Sequence, residues 1–337
     1  MIAIKDLVGL RKPLTRLIEV IAQGTGAVFK ASLIKRNADA EAYKIGVIAS
    51  ALAEAGANLG VPVVYNDGAI EAWKKPQDGS LVLEPVSVEE RTVARLEYQD
   101  RRHQENLENI TSVAASDLAE DSEVPNERPD DDWIARFFSH AQDISSGEMQ
   151  DLWGRILSGE IRQPGTFSLR ALDAVRNISK HEAQLLEHVG KFALRALDAG
   201  VSTHIIDAHD EGWLKAQRIH PGNIFHLSEL GLMFPTMLAL TTFKDVDCLA
   251  FESAEHIVVV DRGELLGEVA LPVWKFTGVG SELLELIESP LNEECLTQLG
   301  KFFANRKAKV RLGRITTRDG AQIHFDNELV IAPDAPS

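Results

Sequence analysis

The densest group of potentially reactive side chains is HIIDAHDEG, where His204, Asp207, His209 and Asp210 bring two imidazoles and two carboxylates together. Imidazole nitrogens and carboxylate oxygens can hold zinc, and a histidine beside a carboxylate can act as a general base. His204 to Lys215 reads as a helix, which puts His204 and Asp207 on one face and turns His209 elsewhere, so a polar helix end is the competing account. Asp130, Asp131 and Asp132 precede Trp133. Three adjacent carboxylates at a helix start point in different directions, and there they favour the positive end of the helix dipole over one shared ion. Gly278-Val279-Gly280 lies between strand and helix patterns, as a dinucleotide loop would, but it lacks the third glycine and the acidic strand end, and Thr277 reads as the helix start. Gly24-Thr25-Gly26 has no following Gly-Lys-Ser/Thr, so it is not a phosphate loop. These patterns assign no catalytic residue, metal or cofactor. His204, Asp207 and His209 remain the candidates of a metal-dependent enzyme alternative.

A second chemistry is electrostatic. Lys301, Arg306, Lys307, Lys309, Arg311, Arg314 and Arg318 fall in one stretch without an acid, beside Phe302 and Phe303. Such a strip can contact nucleic acid phosphates or an acidic partner. The whole chain carries −16, which excludes a surface that embraces nucleic acid throughout. Residues 116–160 hold twelve acids and three arginines, so docking between segments of opposite sign is an alternative use of the strip.

The elements that must position these groups follow from the hydrophobic period. Residues 1–23 read as an amphipathic helix with Leu14, Leu17, Ile18 and Ile21 on one face, and 28–57 as a longer alanine-rich helix. Residues 60–86 read as a loop and strand insertion, and 87–118 as a long exposed helix with Val93, Leu96, Leu107 and Ile110 as a thin stripe. A Pro-containing acidic linker covers 117–130. Four helices are expected over 131–200, with Ser-x-x-Glu capping boxes at Ser145/Glu148 and Ser179/Glu182 and a cap at Ser168, the last helix running through Phe192 and Ala196 to Gly200. Residues 201–331 read as an α+β domain, winged-helix-like at HLSELGLM, with short strands and a hairpin about Asp261-Arg262-Gly263. The expected fold is therefore mainly α: an N-terminal helical region over 1–116, a central all-helical domain and a C-terminal α+β domain with a small antiparallel sheet. Cys248 and Cys295 match no metal or redox spacing, and no apolar run is long enough to span a bilayer, so a reduced, cytoplasmic protein is expected.

The motifs of the central stretch carry a resemblance. Asp132-Trp133-Ile134, the run Ser145 to Trp153, Ile156-Leu157 and Pro164-Gly165-Thr166-Phe167-Ser168 resemble a bacterial family catalogued as domain of unknown function 2806. So do IKRNADAEAYKI, RRHQENLENIT, HLSELGLM and WKFTGVGSELLELI, with Phe276 in place of the usual leucine, while residues 60–86 depart from the pattern. The central helices, including the restart Ile178 to Ala183, are more loosely similar to the abortive-infection alpha family of phage-defence proteins. The resemblance implies a role in bacterial defence or stress. The shared residues are apolar or capping, so it implies no catalytic residue. The leading expectation is a non-enzymatic interaction or sensing module that associates with itself or a protein partner through its N-terminal helices. A nucleic-acid-binding regulator is the alternative.

Overall fold

The computed structural model describes residues 12–26, 63–66, 69–72, 87–198, 201–244, 246–253, 255–287, 293–319 and 322–334. The chain divides into two compact units, Met1–Pro164 and Gly165–Ser337. The helix expected over 28–57 lies outside the described residues.

The first unit contains α1 (Lys12–Thr25), a hairpin of β1 (Val63–Asn66) and β2 (Ala69–Ala72), α2 (Val88–Leu118), α3 (Asp131–Ala141) and α4 (Gly147–Arg162). Its core joins Leu17 and Ile21 of α1, Ile110 and Leu118 of α2, Phe137 of α3 and Trp153 of α4, all essentially inaccessible to water. Burying an aliphatic or aromatic side chain of this size contributes about 1.5–3 kcal/mol. Asp130 caps α3, its carboxylate accepting from the backbone N–H groups of Asp132 and Trp133. The aspartates there thus include a helix cap, in line with the dipole argument. Helix α4 begins one residue later than the capping-box pattern at Ser145 implies: Ser146 is the N-cap and makes no side-chain cap bond, while the Ser145 hydroxyl accepts from Arg102 at 2.8 Å. The acidic run is used locally, for Asp117 and Asp121 both accept from Arg162 at the end of α4, at 2.8 and 2.7 Å. Burial pushes the Asp117 carboxyl up, but hydrogen bonds from Arg162 and Ser158 outweigh it and hold it below its usual value.

The second unit corrects the expected fold. Helices α5 (Leu169–Asn177) and α6 (Lys180–Gly190) come first. The chain then forms β3 (Leu194–Asp198), β4 (Val201–Asp207), α7 (Glu211–Ala216), α8 (Pro221–Glu229), β5 (Leu238–Thr242), β6 (Cys248–Ser253), β7 (His256–Asp261), β8 (Val269–Lys275), α9 (Gly278–Leu284), α10 (Glu293–Ala304), β9 (Lys309–Asp319) and β10 (Gln322–Ile331). Eight of these strands make one antiparallel sheet in the order β10-β9-β7-β6-β3-β4-β8-β5. A mainly helical protein with a small C-terminal sheet is therefore not what this sequence builds: the fold is α+β, with a large sheet organising the second unit.

Three local readings fail for one reason. Leu-Arg-Ala-Leu-Asp is made of good helix formers, yet it continues not as a helix to Gly200 but as β3, hydrogen-bonded to β4 on one side and β6 on the other. His204 lies on β4 rather than on a helix, and β7 pairs with β6 and β9 rather than with the residues after Gly263. Strand preference is set by cross-strand neighbours and burial, which outweigh local propensity. Helix α8 does end near Gly231, which has a left-handed φ of 74°, but the chain continues to β5 at the edge of the eight-stranded sheet, not into a two-stranded wing. Ser168 and the Ser179/Glu182 box cap α5 and α6 as the sequence pattern requires.

Candidate functional site

Strand alternation sorts the sheet's side chains onto two faces. Leu194, Ala196, Ile205 and Phe251 pack with Leu296, Leu299 and Phe303 of α10 in one buried cluster. The residues between them face the other way. In the register, Arg195 stands opposite His204 on β4 and opposite Glu252 on β6, so His204, Arg195 and Glu252 form a row across three strands. Arg318 reaches the same place from β9. Together with Gly190, Ala193, Ser253, Leu284, Glu285 and Ile287 these four line a pocket of about 270 Å³.

Glu252 is buried, with 3% of its surface accessible. Its two carboxylate oxygens accept from Nη1 and Nη2 of Arg318 at 3.0 and 3.1 Å, the bidentate fork that suits a guanidinium. Arg195 meets the same carboxylate differently. Its Nε lies 3.2 Å from Oε2, but the N–H is not directed at that oxygen, and the buried Nε has no hydrogen-bond partner. The contact is Coulombic only. The Ser253 hydroxyl is buried without a partner as well. Burial holds the His204 imidazole below its ordinary pKa, the Arg195 charge adds to this and Glu252 opposes it, so His204 is neutral at pH 7. Buried polar groups are nearly always satisfied in native proteins, so two unmet donors around one cavity, Arg195 Nε and the Ser253 hydroxyl, ask for a partner.

The acid-base candidates are separated by the sheet. His204 and Asp207 stand three residues apart on β4 and therefore face opposite sides, whereas a helix would have brought them together. Asp207 instead holds His209: the His209 backbone N–H donates to Oδ1 at 3.0 Å, and ring Nδ1 lies 2.6 Å from Oδ2. The ring rests against Phe302, 4.9 Å between centroids. Cys295 is a buried thiol whose pKa is pushed well up by burial and then by Asp207 and Glu294, the reverse of an activated nucleophile. Among the described residues no cluster of three or more histidine, cysteine or carboxylate side chains could hold a metal ion.

The basic strip does not form one surface. Lys309 and Arg311 share one face of β9, and Arg314 lies on the other. Lys301 pairs with Asp334 at 3.1 Å, Arg311 with Asp261 at 3.2 Å, Arg314 with Glu255 at 2.6 Å and Arg318 with Glu252. Arg306 stacks over the Phe302 ring, 3.7 Å from its centroid, and Lys307 occupies a left-handed turn position at φ 72°. Lys307 and Lys309 are exposed. Of the seven, only Arg318 lines the pocket. Arg195, Glu252 and Ser253 escaped the sequence reading because Arg195 lay in an apparent helix; the alternation Leu194-Arg195-Ala196 is the signal that a strand reading would have used.

In the first unit, α2 changes character along its length. Its second half is packed, and the buried Asn106 and Gln150 are satisfied there: Asn106 donates to the Gln142 carbonyl at 2.7 Å, and Gln150 donates to Asn106 at 3.1 Å. Its first half is exposed, with Val88, Val93, Leu96 and Tyr98 between 47% and 63% accessible. No described helix is long and apolar enough to cross a membrane.

A family model described as a protein of unknown function (DUF2806) matches residues 90–300, well over half of the chain. No curated protein and no solved structure matches.

Proposed function

We propose that this chain, which belongs to the DUF2806 family of proteins of unknown function, is a non-enzymatic interaction module that pairs with a second copy of itself through the first half of α2. The observation that carries the reading is the exposed stripe of Val93 and Leu96 together with the order of charges around it. Reading outward from the midpoint between Arg95 and Leu96, Arg91 has Asp100 as its counterpart and Glu89 has Arg102. Each pair is opposite in sign. In an antiparallel pair of α2 helices crossing midway between Arg95 and Leu96, these charges meet their complements, whereas a parallel pair places like on like. A two-fold interface is self-complementary in just this sense. Apolar side chains at the crossing supply the association energy, and the flanking charges set orientation.

Light scattering on the intact chain tests this. The wild-type chain should be a dimer, and Leu96→Glu should make it a monomer. Arg91→Glu should weaken the dimer, and adding Asp100→Arg to it should restore it, because each reversed charge again faces its opposite. A wild-type chain that stays monomeric, or a double variant no better than the single one, contradicts the reading. The similarity of the central helices to abortive-infection alpha proteins supports placing such a module in bacterial phage defence. Unchanged plaquing of a broad phage panel on a deletion strain would remove that placement.

A further inference from the structure

We infer that the pocket on the second face of the sheet is a receptor for the oxyanion group, phosphate or carboxylate, of a small molecule, with Arg195 as the residue that grips it. This does not depend on self-association through α2.

The argument begins with donors and acceptors. The Arg318 fork occupies both oxygens of Glu252, so that pair is internally matched and close to neutral. Arg195 is left over. A guanidinium carries five N–H donors in a planar fork, and among the described residues Arg195 makes no hydrogen bond with any of them, its Nε being buried and unpartnered. Its one electrostatic contact is Oε2 of Glu252, already claimed by Arg318. Two guanidiniums against one buried carboxylate leave one positive charge at the floor of the pocket. The Ser253 hydroxyl, 4% exposed and unpartnered, is a further unmet polar group among the lining residues. His204 stands directly across from Arg195 and adds a neutral ring nitrogen. What this arrangement lacks is an acceptor for Arg195, which an oxyanion supplies in the bidentate geometry that guanidinium recognises best.

The opposite wall fixes the rest of the ligand. Leu284 and Ile287 line the pocket and close against Gly190, where an added Cβ would meet both side chains. A volume of about 270 Å³ is near the lower end for ligand sites, so the body of the molecule is small and partly apolar. Glu285 at the rim is exposed, and water and salt screen its repulsion of an anion. The strongest competing explanation is a purely structural Arg-Glu-Arg triad. That explanation predicts a third member hydrogen-bonded to the carboxylate, which Arg195 is not.

The test is calorimetric titration of the intact chain with inorganic phosphate and, separately, with succinate, in chloride buffer of matched ionic strength. Saturable binding of at least one is expected. Arg195→Gln should weaken it at least tenfold, and Arg195→Lys, which keeps the charge but not the fork, should weaken it to an intermediate degree. Lys309→Gln, on the basic strip outside the pocket, should leave it unchanged. Circular dichroism establishes that each variant is folded, and the Lys variant keeps the test decisive if the Gln variant is not. Tighter binding of phosphate than of succinate assigns a phosphorylated ligand, and the reverse order a carboxylate. No saturable binding of either, or equal weakening by Lys309→Gln and Arg195→Gln, overturns the inference.

Discussion

Gly280 lies directly against the backbone carbonyl of Leu232, so closely that any Cβ at this position would overlap the carbonyl oxygen. The same turn is held by Thr277, whose backbone N–H donates to the Leu232 carbonyl at 3.0 Å and whose hydroxyl accepts from the Gly280 N–H at 3.1 Å. The Gly-Val-Gly motif is explained by this approach of helix α9 to the chain after α8, with no nucleotide required. Gly280→Ala should lower the unfolding free energy by about 2–3 kcal/mol, since a backbone atom cannot move aside as a side chain can. Gly278, whose Cβ position is open, should accept alanine with little change. Urea denaturation of the two variants side by side checks the contrast, and equal effects would contradict it.

Removing Arg318 leaves the Glu252 carboxylate buried with Arg195 as its remaining cation and no hydrogen bond from it. Breaking a fully buried pair costs about 3–5 kcal/mol. The Arg318 side chain is 41% exposed and its half of the interaction is screened by solvent, so about 2 kcal/mol is expected for Arg318→Met. Chemical denaturation at neutral pH measures it. Glu252→Gln should also destabilise, by leaving two arginines without a counter-charge.

His204 predicts a pH dependence. Its pKa is lowered in the folded protein, so below its ordinary value the unfolded chain binds the proton more readily than the folded one. The stability of the second unit should therefore be full above pH ~6.5 and decline as pH falls through the lower folded pKa. Thermal melts between pH 8 and pH 5 should show this decline for the native chain, and a smaller one for His204→Gln. An identical decline in both would mean that other groups carry it.

Two serines separate a real cap from an apparent one. The Ser179 hydroxyl accepts from the backbone N–H of Glu182, and the Glu182 carboxylate accepts from the Ser179 N–H at 2.7 Å. Ser179→Ala should cost about 1 kcal/mol. Ser145 heads a matching Ser-x-x-Glu pattern, but α4 starts beyond it, so Ser145→Ala loses only an exposed bond from Arg102 and should cost much less. Comparison of the two denaturation midpoints decides the matter.

Local patterns were sufficient where the determining interactions are local. The helices at Asp131, Leu169, Lys180 and Glu293, the cap at Ser168 and the glycine stop at Gly231 are specified by side chains within a turn or two of the backbone they satisfy. The pairing of β9 with β10 joins strands adjacent in the chain and is local in the same sense. The large sheet was not. β3 joins β6 across a separation of more than fifty residues, and nothing inside Leu-Arg-Ala-Leu-Asp announces that pairing.

The sequence by itself determined most of the helices and the family resemblance, because caps, turns and the 3.6-residue period act over short distances. That only the first half of α2 stays exposed, with Leu107 and Ile110 buried, was decided by packing. The tertiary structure alone decided which charged residues meet. Sheet register set Arg195 between His204 and Glu252, turned His204 away from Asp207, and paired much of the basic strip with acids distant in the chain. A strand's side-chain direction alternates with every residue, so one long-range pairing fixes the face of all of them, and that pairing is written in no single stretch of the chain.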